Sequence, residues 1–269
     1  MDMTTLIGIV AGFACVIFSI MNTGQVKNFV DPASIFIVVG GVLFATLASF
    51  PMDRIKNLLK ALKNAFKKAQ FNVNDDIELL IKLANIARKE GILALEESAN
   101  QTEEPFLKKG IMLIVDGTDP ELIKDILETD LSFIKERHAD SRAILDAAAA
   151  YSPAFGMIGT LIGLINMLQG LSDMSTLGPN MSTALVTTFY GSMLANLVFG
   201  PLSKKLKAAG AKEYLRKEMI LEGLLSIQNG ENPRIIREKL NAFLPREQLL
   251  KIEAQASAGQ RGVPEDVKE

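Results

Sequence analysis

Ala147–Ser203 reads AAAAYSPAFGMIGTLIGLINMLQGLSDMSTLGPNMSTALVTTFYGSMLANLVFGPLS, and Asp173 is the one charged residue in it. On either side of that aspartate stand two charge-free runs, Ala147–Ser172 and Met174–Ser203. Each is long enough to cross a hydrocarbon core of ~30 Å as a helix. The N-terminus repeats the pattern, since Met3–Val26 and Pro32–Met52 are also free of charge. The 269-residue chain is 48% hydrophobic and 22% charged, a balance that a soluble protein can share. Segregation decides the class: the charges crowd into Asp53–Asp146 and Lys204–Glu269. The fold class expected is an all-α integral membrane protein with four transmembrane helices and a large helical cytoplasmic domain.

A secretory signal fits the first run poorly. It lacks a basic leading region and exceeds the usual apolar length of such signals. The net charge of -2, with no basic stripe interleaved with aromatics, gives no sign of nucleic-acid binding. Cys15 is the lone cysteine, which rules out an internal disulfide and reads as a small helix-packing residue. His138 is the single histidine; in its charged surroundings it reads as a solvated position, because a metal site needs several ligands. Neither a Walker loop, a dinucleotide fingerprint nor a paired-carboxylate constellation stands out, so no enzymatic activity and no cofactor are expected.

Lysine and arginine set the orientation. The linker Asn22–Asp31 holds one lysine and Leu171–Asn180 no basic residue, whereas Arg54, Lys56, Lys60, Lys63, Lys67 and Lys68 follow the second run. Lys204, Lys205, Lys207 and Lys212 follow the fourth. The positive-inside rule places both basic flanks, and both termini, in the cytoplasm. The spans are then about Thr4–Met21, Ala33–Phe50, Ala147–Gly170 and Met181–Ser203. Four segments result: 1–50 with the first two spans, 51–146 as a cytoplasmic helical domain, 147–203 with the last two spans, and 204–269 as cytoplasmic helices and a tail.

Between the span pairs the pattern is helical. Leu58, Leu59, Leu62 and Phe66 recur at helical spacing. Asn72 or Asn74 caps a helix carrying Ile77, Leu80, Ile81, Leu83 and Ile86, which Gly91 interrupts. A further helix covers about Glu104–Val115. Asp119-Pro120 and Asn232-Pro233 each read as a cap followed by proline at the first helical position. Nothing stops the helix that starts at Pro120 before the third span. The helix after the fourth span ends at Asn229-Gly230, and disorder is expected beyond about Ala256.

None of the four spans holds Asp, Glu, Lys, Arg or His, the residues that intramembrane proton relays and ion sites use. What they hold instead is small and hydroxylic. Gly159 and Gly163, like Gly8 and Gly12, form G-x-x-x-G pairs that admit a second backbone, from the same chain or from another subunit. Thr188, Ser192 and Asn196 follow i, i+4, i+8 and share a face. Thr160 lies ~20 Å along a helix from Ala147, and Thr188 ~22 Å from Ser203. Both reference points are cytoplasmic, so the two hydroxyls sit at similar depth. Pro153 and Pro201, near the cytoplasmic span ends, deprive the carbonyls of Ala149 and Leu197 of helical partners. Each is either a passive bend or a flexing point.

The run Ser152–Leu164 (SPAFGMIGTLIGL) is similar to the third-helix signature of the MotA/PomA family of flagellar stator proteins. Thr187-Thr188-Phe189-Tyr190-Gly191, with Asn196 and Pro201 after it, resembles that family's fourth helix. Arg88–Glu96 (RKEGILALE) resembles its cytoplasmic loop, and Leu221-Glu222-Gly223 with Gly230–Arg234 its tail motif. The likeness spans roughly residues 1–250. It implies a ring of subunits in the bacterial inner membrane, pentameric in the family, around a dimer of a single-span MotB/PomB-type partner that brings the ion-binding Asp and a peptidoglycan anchor. It implies Thr160, Thr187, Thr188, Phe155 and Tyr190 at the ion path and partner interface, with Pro153 and Pro201 in conformational coupling. Arg88, Lys89, Glu96 and Glu97 would face the rotor protein FliG. The translocated species, H+ or Na+, stays open, although a threonine at the place of Thr187 resembles the sodium type. Membrane lipids are the remaining partner. The runner-up is the ExbB/TolQ family, with a similar third and fourth helix but typically three spans. A small-molecule transporter lacks the expected pseudo-repeat, and a passive membrane scaffold would conduct no ions.

Overall fold

The computed structural model describes residues 3–66 and 73–244, together with positions 246 and 249. Every regular element among them is helical. The expected cap at Asn72, Lys67 and Lys68, and the tail beyond about Ala256 lie outside the described residues. The chain divides into two compact units: Met1–Ala69 with Lys135–Ala211, and Gln70–Ile134 with Lys212–Glu269.

The first unit is built on the apolar runs. Helix α1 is Met3–Thr23. Helix α2 joins three contiguous segments, Pro32–Ile35, a π-wound Phe36–Gly40 and Gly41–Ser49. Helix α7 is continuous over Pro120–Gln169, with Pro153 inside it, so the helix begun at Pro120 does run into the third span. Helix α8 comprises Met174–Met193, a π-wound Leu194–Phe199 and Gly200–Gln228. These four are long and apolar enough to cross a membrane. Leu6, Val10, Phe18, Phe36 and Phe44 lie exposed on α1 and α2, a surface that water would penalise and lipid would not.

Helix α3, Met52–Phe66, packs Leu58 against Ile144, Leu145 and Leu206, with Ile55, Ala61 and Leu62 beside it. Leu59 departs from the expected stripe: it is 64% exposed, because at 3.6 residues per turn it points about 100° away from Leu58. Cys15 is likewise exposed rather than packed within the chain. His138 is half-buried against Gly210, not solvated.

In the second unit, α4 is Val73–Glu90, α5 Leu95–Gln101, α6 Pro105–Val115 and α9 Pro233–Asn241. Asn74 lies in the first turn of α4 rather than at its cap. Gly91 ends α4 with φ +90, a conformation that costs glycine little. Helix α5, which the sequence pattern did not announce, follows at once. Asn232 accepts from the Arg234 N–H at 3.0 Å and Asp119 from that of Glu121 at 2.9 Å, so both cap-plus-proline starts are realised. The core joins Leu80 and Leu83 of α4, Leu107 and Ile111 of α6, and Leu224 of α8 to Ile236 of α9.

One polar group lies against this core. Arg216 donates to both Asp76 oxygens at 2.6 and 2.7 Å and to Glu104 at 3.0 Å, with the arginine side chain only 12% exposed. Removing one member of such a group strands the others, at a cost of about 3–5 kcal/mol. Arg216→Ala is therefore expected to lower the melting temperature of the purified protein markedly. Arg216→Met combined with Asp76→Asn and Glu104→Gln should recover most of that loss in the same thermal scan.

Candidate functional site

Glycine determines how α7 and α8 meet. A Cβ on Gly156 would lie 3.1 Å from the Thr187 carbonyl, one on Gly159 2.4 Å from Thr187 Cγ2, and one on Gly163 2.6 Å from the Asn180 carbonyl. On the facing helix, a Cβ on Gly191 would lie 2.4 Å from the Ser152 carbonyl. The third-span glycine pair thus serves packing within one chain. In the first span Gly12 meets Leu197, while Gly8 has nothing within 4 Å.

This approach joins the two threonines expected at equal depth. Thr160 Oγ1 and Thr188 Oγ1 are 2.5 Å apart, and the Thr160 hydroxyl also reaches the Ala184 carbonyl at 3.0 Å and that of Gly156 at 3.1 Å. Thr188 Oγ1 lies 3.5 Å from the same Ala184 carbonyl. Two hydroxyls and a carbonyl oxygen form a compact polar group, and Thr188 is exposed. Two hydroxyl protons serve several acceptors here, so lone pairs remain for an incoming donor or cation. Three oxygens make an incomplete ion shell; a carboxylate or water has to complete it. Ser192 and Asn196 are exposed as well, extending the polar face beyond Thr188.

The other residues singled out from sequence lie differently. Thr187 is fully buried against Gly159, its hydroxyl donating to the carbonyls of Thr183 and Ala184 at 3.0 and 2.9 Å. The Phe155 ring covers Gly41 of α2. Tyr190 donates its hydroxyl to the Phe29 carbonyl, and Phe29 meets Phe189 edge-on at 5.5 Å. Those contacts pin the short turn between α1 and α2 onto α8. Pro153 is exposed, and Pro201 is half-buried just after the π-wound segment.

In the second unit Arg88 and Lys89, at the end of α4, and Glu96 and Glu97, on α5, are all exposed. Lys89 also lines a groove of about 460 Å³ beside Arg237. There Arg237 grips Glu78 through both oxygens and holds its carboxyl below the usual range.

Two polar contacts escaped the sequence. Asp31 caps α2, accepting from the Ser34 N–H at 3.1 Å and from its hydroxyl, while Ser34 itself is fully buried and lies 3.4 Å from the Thr183 carbonyl. The signal was present, since Asp31-Pro32 repeats the cap-plus-proline pattern found at Asp119 and Asn232. Ser203 donates to Asp146 at 2.5 Å, joining α7 and α8 where their charge-free runs meet the charged segments. No sequence spacing announces that pair.

Residues 98–219 match the MotA/TolQ/ExbB proton channel family, and residues 6–91 match the motility protein A N-terminal family. Chemotaxis protein PomA of Vibrio alginolyticus is 40% identical over 244 residues, covering 91% of this chain and 96% of its own. Motility protein A of Aquifex aeolicus is 42% identical, covering 92% of this chain and all of its own. The flagellar MotAB stator complex from Bacillus subtilis contains a chain that superposes with TM-score 0.87 at 33% identity, over 93% of this chain and 99% of that one.

Backbone proximity at Gly163 has a direct consequence. Gly163→Val forces side-chain atoms against the Asn180 carbonyl, and overpacking of this kind costs about 1–3 kcal/mol. A thermal scan of the detergent-purified protein should show a lower melting temperature for Gly163→Val. Gly178→Ala, with nothing within 4 Å of its Cβ position, should melt as the parent does.

Proposed function

The chain belongs to the MotA/PomA branch of the MotA/TolQ/ExbB proton channel family, and from that premise we propose how, as a flagellar stator subunit, it couples ion flow to rotation. The match of residues 6–91 to the motility protein A N-terminal family favours the stator over the ExbB/TolQ-type alternative. It is a multi-pass membrane protein that works in complex with a MotB-type partner, as in the MotAB stator structures.

The observation that carries the coupling scheme is the Thr160–Thr188 pair in spans that contain no Asp, Glu, Lys, Arg or His. An ion-driven subunit without a carboxylate of its own needs one from outside. In the scheme, five copies surround a partner dimer in the bacterial inner membrane, with both termini of each copy in the cytoplasm. The partner's Asp faces Thr160 and Thr188. While ionised, it draws the two hydroxyl protons away from the Ala184 and Gly156 carbonyls and accepts hydrogen bonds from them, which offset part of the cost of a charge in the membrane. Binding of H+ or Na+ neutralises it and weakens those bonds. The ring then steps until the next subunit's threonines meet the second carboxylate, a shift between states that differ in their contacts. Helices α7 and α8 each continue past the charge-free runs into charged sequence and in the scheme carry the movement covalently. Arg88, Lys89, Glu96 and Glu97 meet FliG, where exposed charges govern encounter and register. The chain performs no catalysis of its own.

Thr160→Val and Thr188→Val keep side-chain shape and remove the hydroxyl. Charge-assisted hydrogen bonds contribute about 1.5–3 kcal/mol each, so the double variant should assemble normally and rotate on the order of a hundredfold more slowly, or not at all. Parental speed of tethered cells at both low and high external sodium would refute the scheme. Recording speed against sodium at fixed pH also identifies the translocated ion. At the rotor face, Arg88→Glu or Glu96→Lys should reduce torque while assembly survives, and a compensating charge change on FliG should restore part of it. Normal swimming in both reversals would reduce these residues to solvated surface charges.

A further inference from the structure

Helix α3 carries two faces, and only one is packed among the described residues. Leu58 and its neighbours bury one face against α7 and α8. On another face Met52, Lys56, Leu59 and Lys63 follow i, i+4, i+7, i+11, which places them on one stripe of a helix. Met52 and Leu59 are 55% and 64% exposed, and Lys56, Lys60 and Lys63 are exposed with no carboxylate partner among the described residues. The helix starts three residues after Ser49, the last residue of α2 and of the second candidate span. Its buried contacts lie at residues 144–145 and 206, within a few positions of where the other two spans leave the apolar zone. A further patch of exposed lysine, Lys204 and Lys207, flanks Leu206.

We infer that the Met52–Lys63 stripe of α3 is a docking surface for the anionic phospholipid of the adjacent leaflet. The apolar side chains at 52 and 59 enter the boundary between headgroups and acyl chains, and the lysine ammonium groups pair with headgroup phosphates. Alternation of large apolar and basic side chains on one helical face suits that interface, since a lysine stem lies along apolar material while its head stays polar. Another protein is a poorer occupant. A second copy would oppose lysine to lysine, and interface cores are depleted of lysine. Open water would leave Leu59 unburied for no gain. The inference rests on the membrane spans and not on the coupling scheme, so it stands or falls separately from rotation.

The test uses the full-length chain purified with its partner and reconstituted in vesicles. With Cys15→Ser as background, Leu59→Cys is labelled with a bimane fluorophore. Quenching is compared in phosphatidylcholine vesicles containing brominated phosphatidylglycerol or brominated phosphatidylcholine at equal mole fraction. A lysine near an anionic surface contributes about fivefold in binding. Quenching at position 59 should therefore be severalfold stronger with the anionic bromolipid, and Lys56→Gln with Lys60→Gln and Lys63→Gln should abolish the difference. A label at buried Leu58 should be shielded from both lipids. Absence of quenching at position 59 by either lipid would overturn the inference and hand the stripe to protein or water. Equal quenching by both, unchanged by the lysine substitutions, would overturn the headgroup assignment.

Discussion

The backbone approach of α7 to α8 is the constraint on which the membrane part of the molecule depends. Four glycines, at 156, 159, 163 and 191, occupy places where any Cβ would press on the opposite helix. Close approach of this kind substitutes for the hydrophobic effect, which gives no drive to helix pairing in lipid. It also sets the helical phase. Thr187 lands against Gly159 and is buried, and one residue further Thr160 and Thr188 meet at the edge of the contact. Neighbouring residues on a helix point about 100° apart. So the Thr187 hydroxyl is spent on its own helix, while that of Thr188 faces outward. The family resemblance lists three threonines together, and the helix gives them two different tasks.

Much of this architecture was legible in the sequence because charge is so costly in a bilayer. Four charge-free runs mark four spans without reference to propensity. Helix starts at Pro120 and Pro233 and the stop at Gly230 were equally plain, because each is set by local backbone chemistry. Gly230 has φ +67, and Asn232 bonds the N–H of Arg234. What escaped was decided by tertiary contact. Leu59 belongs to the apolar spacing of α3 yet misses its buried face by a fraction of a turn. Phe155 and Tyr190 lie in motifs that resemble an ion path, but their side chains are engaged by Gly41 and by the Phe29 carbonyl. The Arg216 group joins residues 140 apart in the chain, a distance over which spacing says nothing.

Hydroxyls in these spans face a choice that charged groups do not. A threonine or serine in a helix can return its proton to the carbonyl one turn back, and Thr46, Ser49, Ser152 and Thr187 do so. That bond makes the side chain compatible with lipid and leaves it chemically quiet. Thr160 does the same toward Gly156 but also reaches across to Ala184 and Thr188. A contact that crosses to the facing helix and ends on a second, exposed hydroxyl distinguishes it from the quiet ones.

The two prolines near the charged flanks of the third and fourth spans are not equivalent. Pro153 sits inside an α7 that continues unbroken, on an exposed face. Pro201 follows directly on a π-wound stretch, Leu194–Phe199, and a Cβ on Gly200 would lie 2.9 Å from the Ala195 carbonyl five residues back. A wide turn accommodates the missing N–H by shifting the hydrogen-bond register rather than by opening a sharp bend. Asn196 lies within that stretch, and its side-chain amide donates to the Ser192 carbonyl at 3.0 Å, giving an oxygen on the polar face an added donor. The register shift and the outward polar residues therefore coincide on α8. Of the two helices that carry the threonine pair, α8 is the one whose backbone departs from α geometry between Thr188 and the basic flank at Lys204.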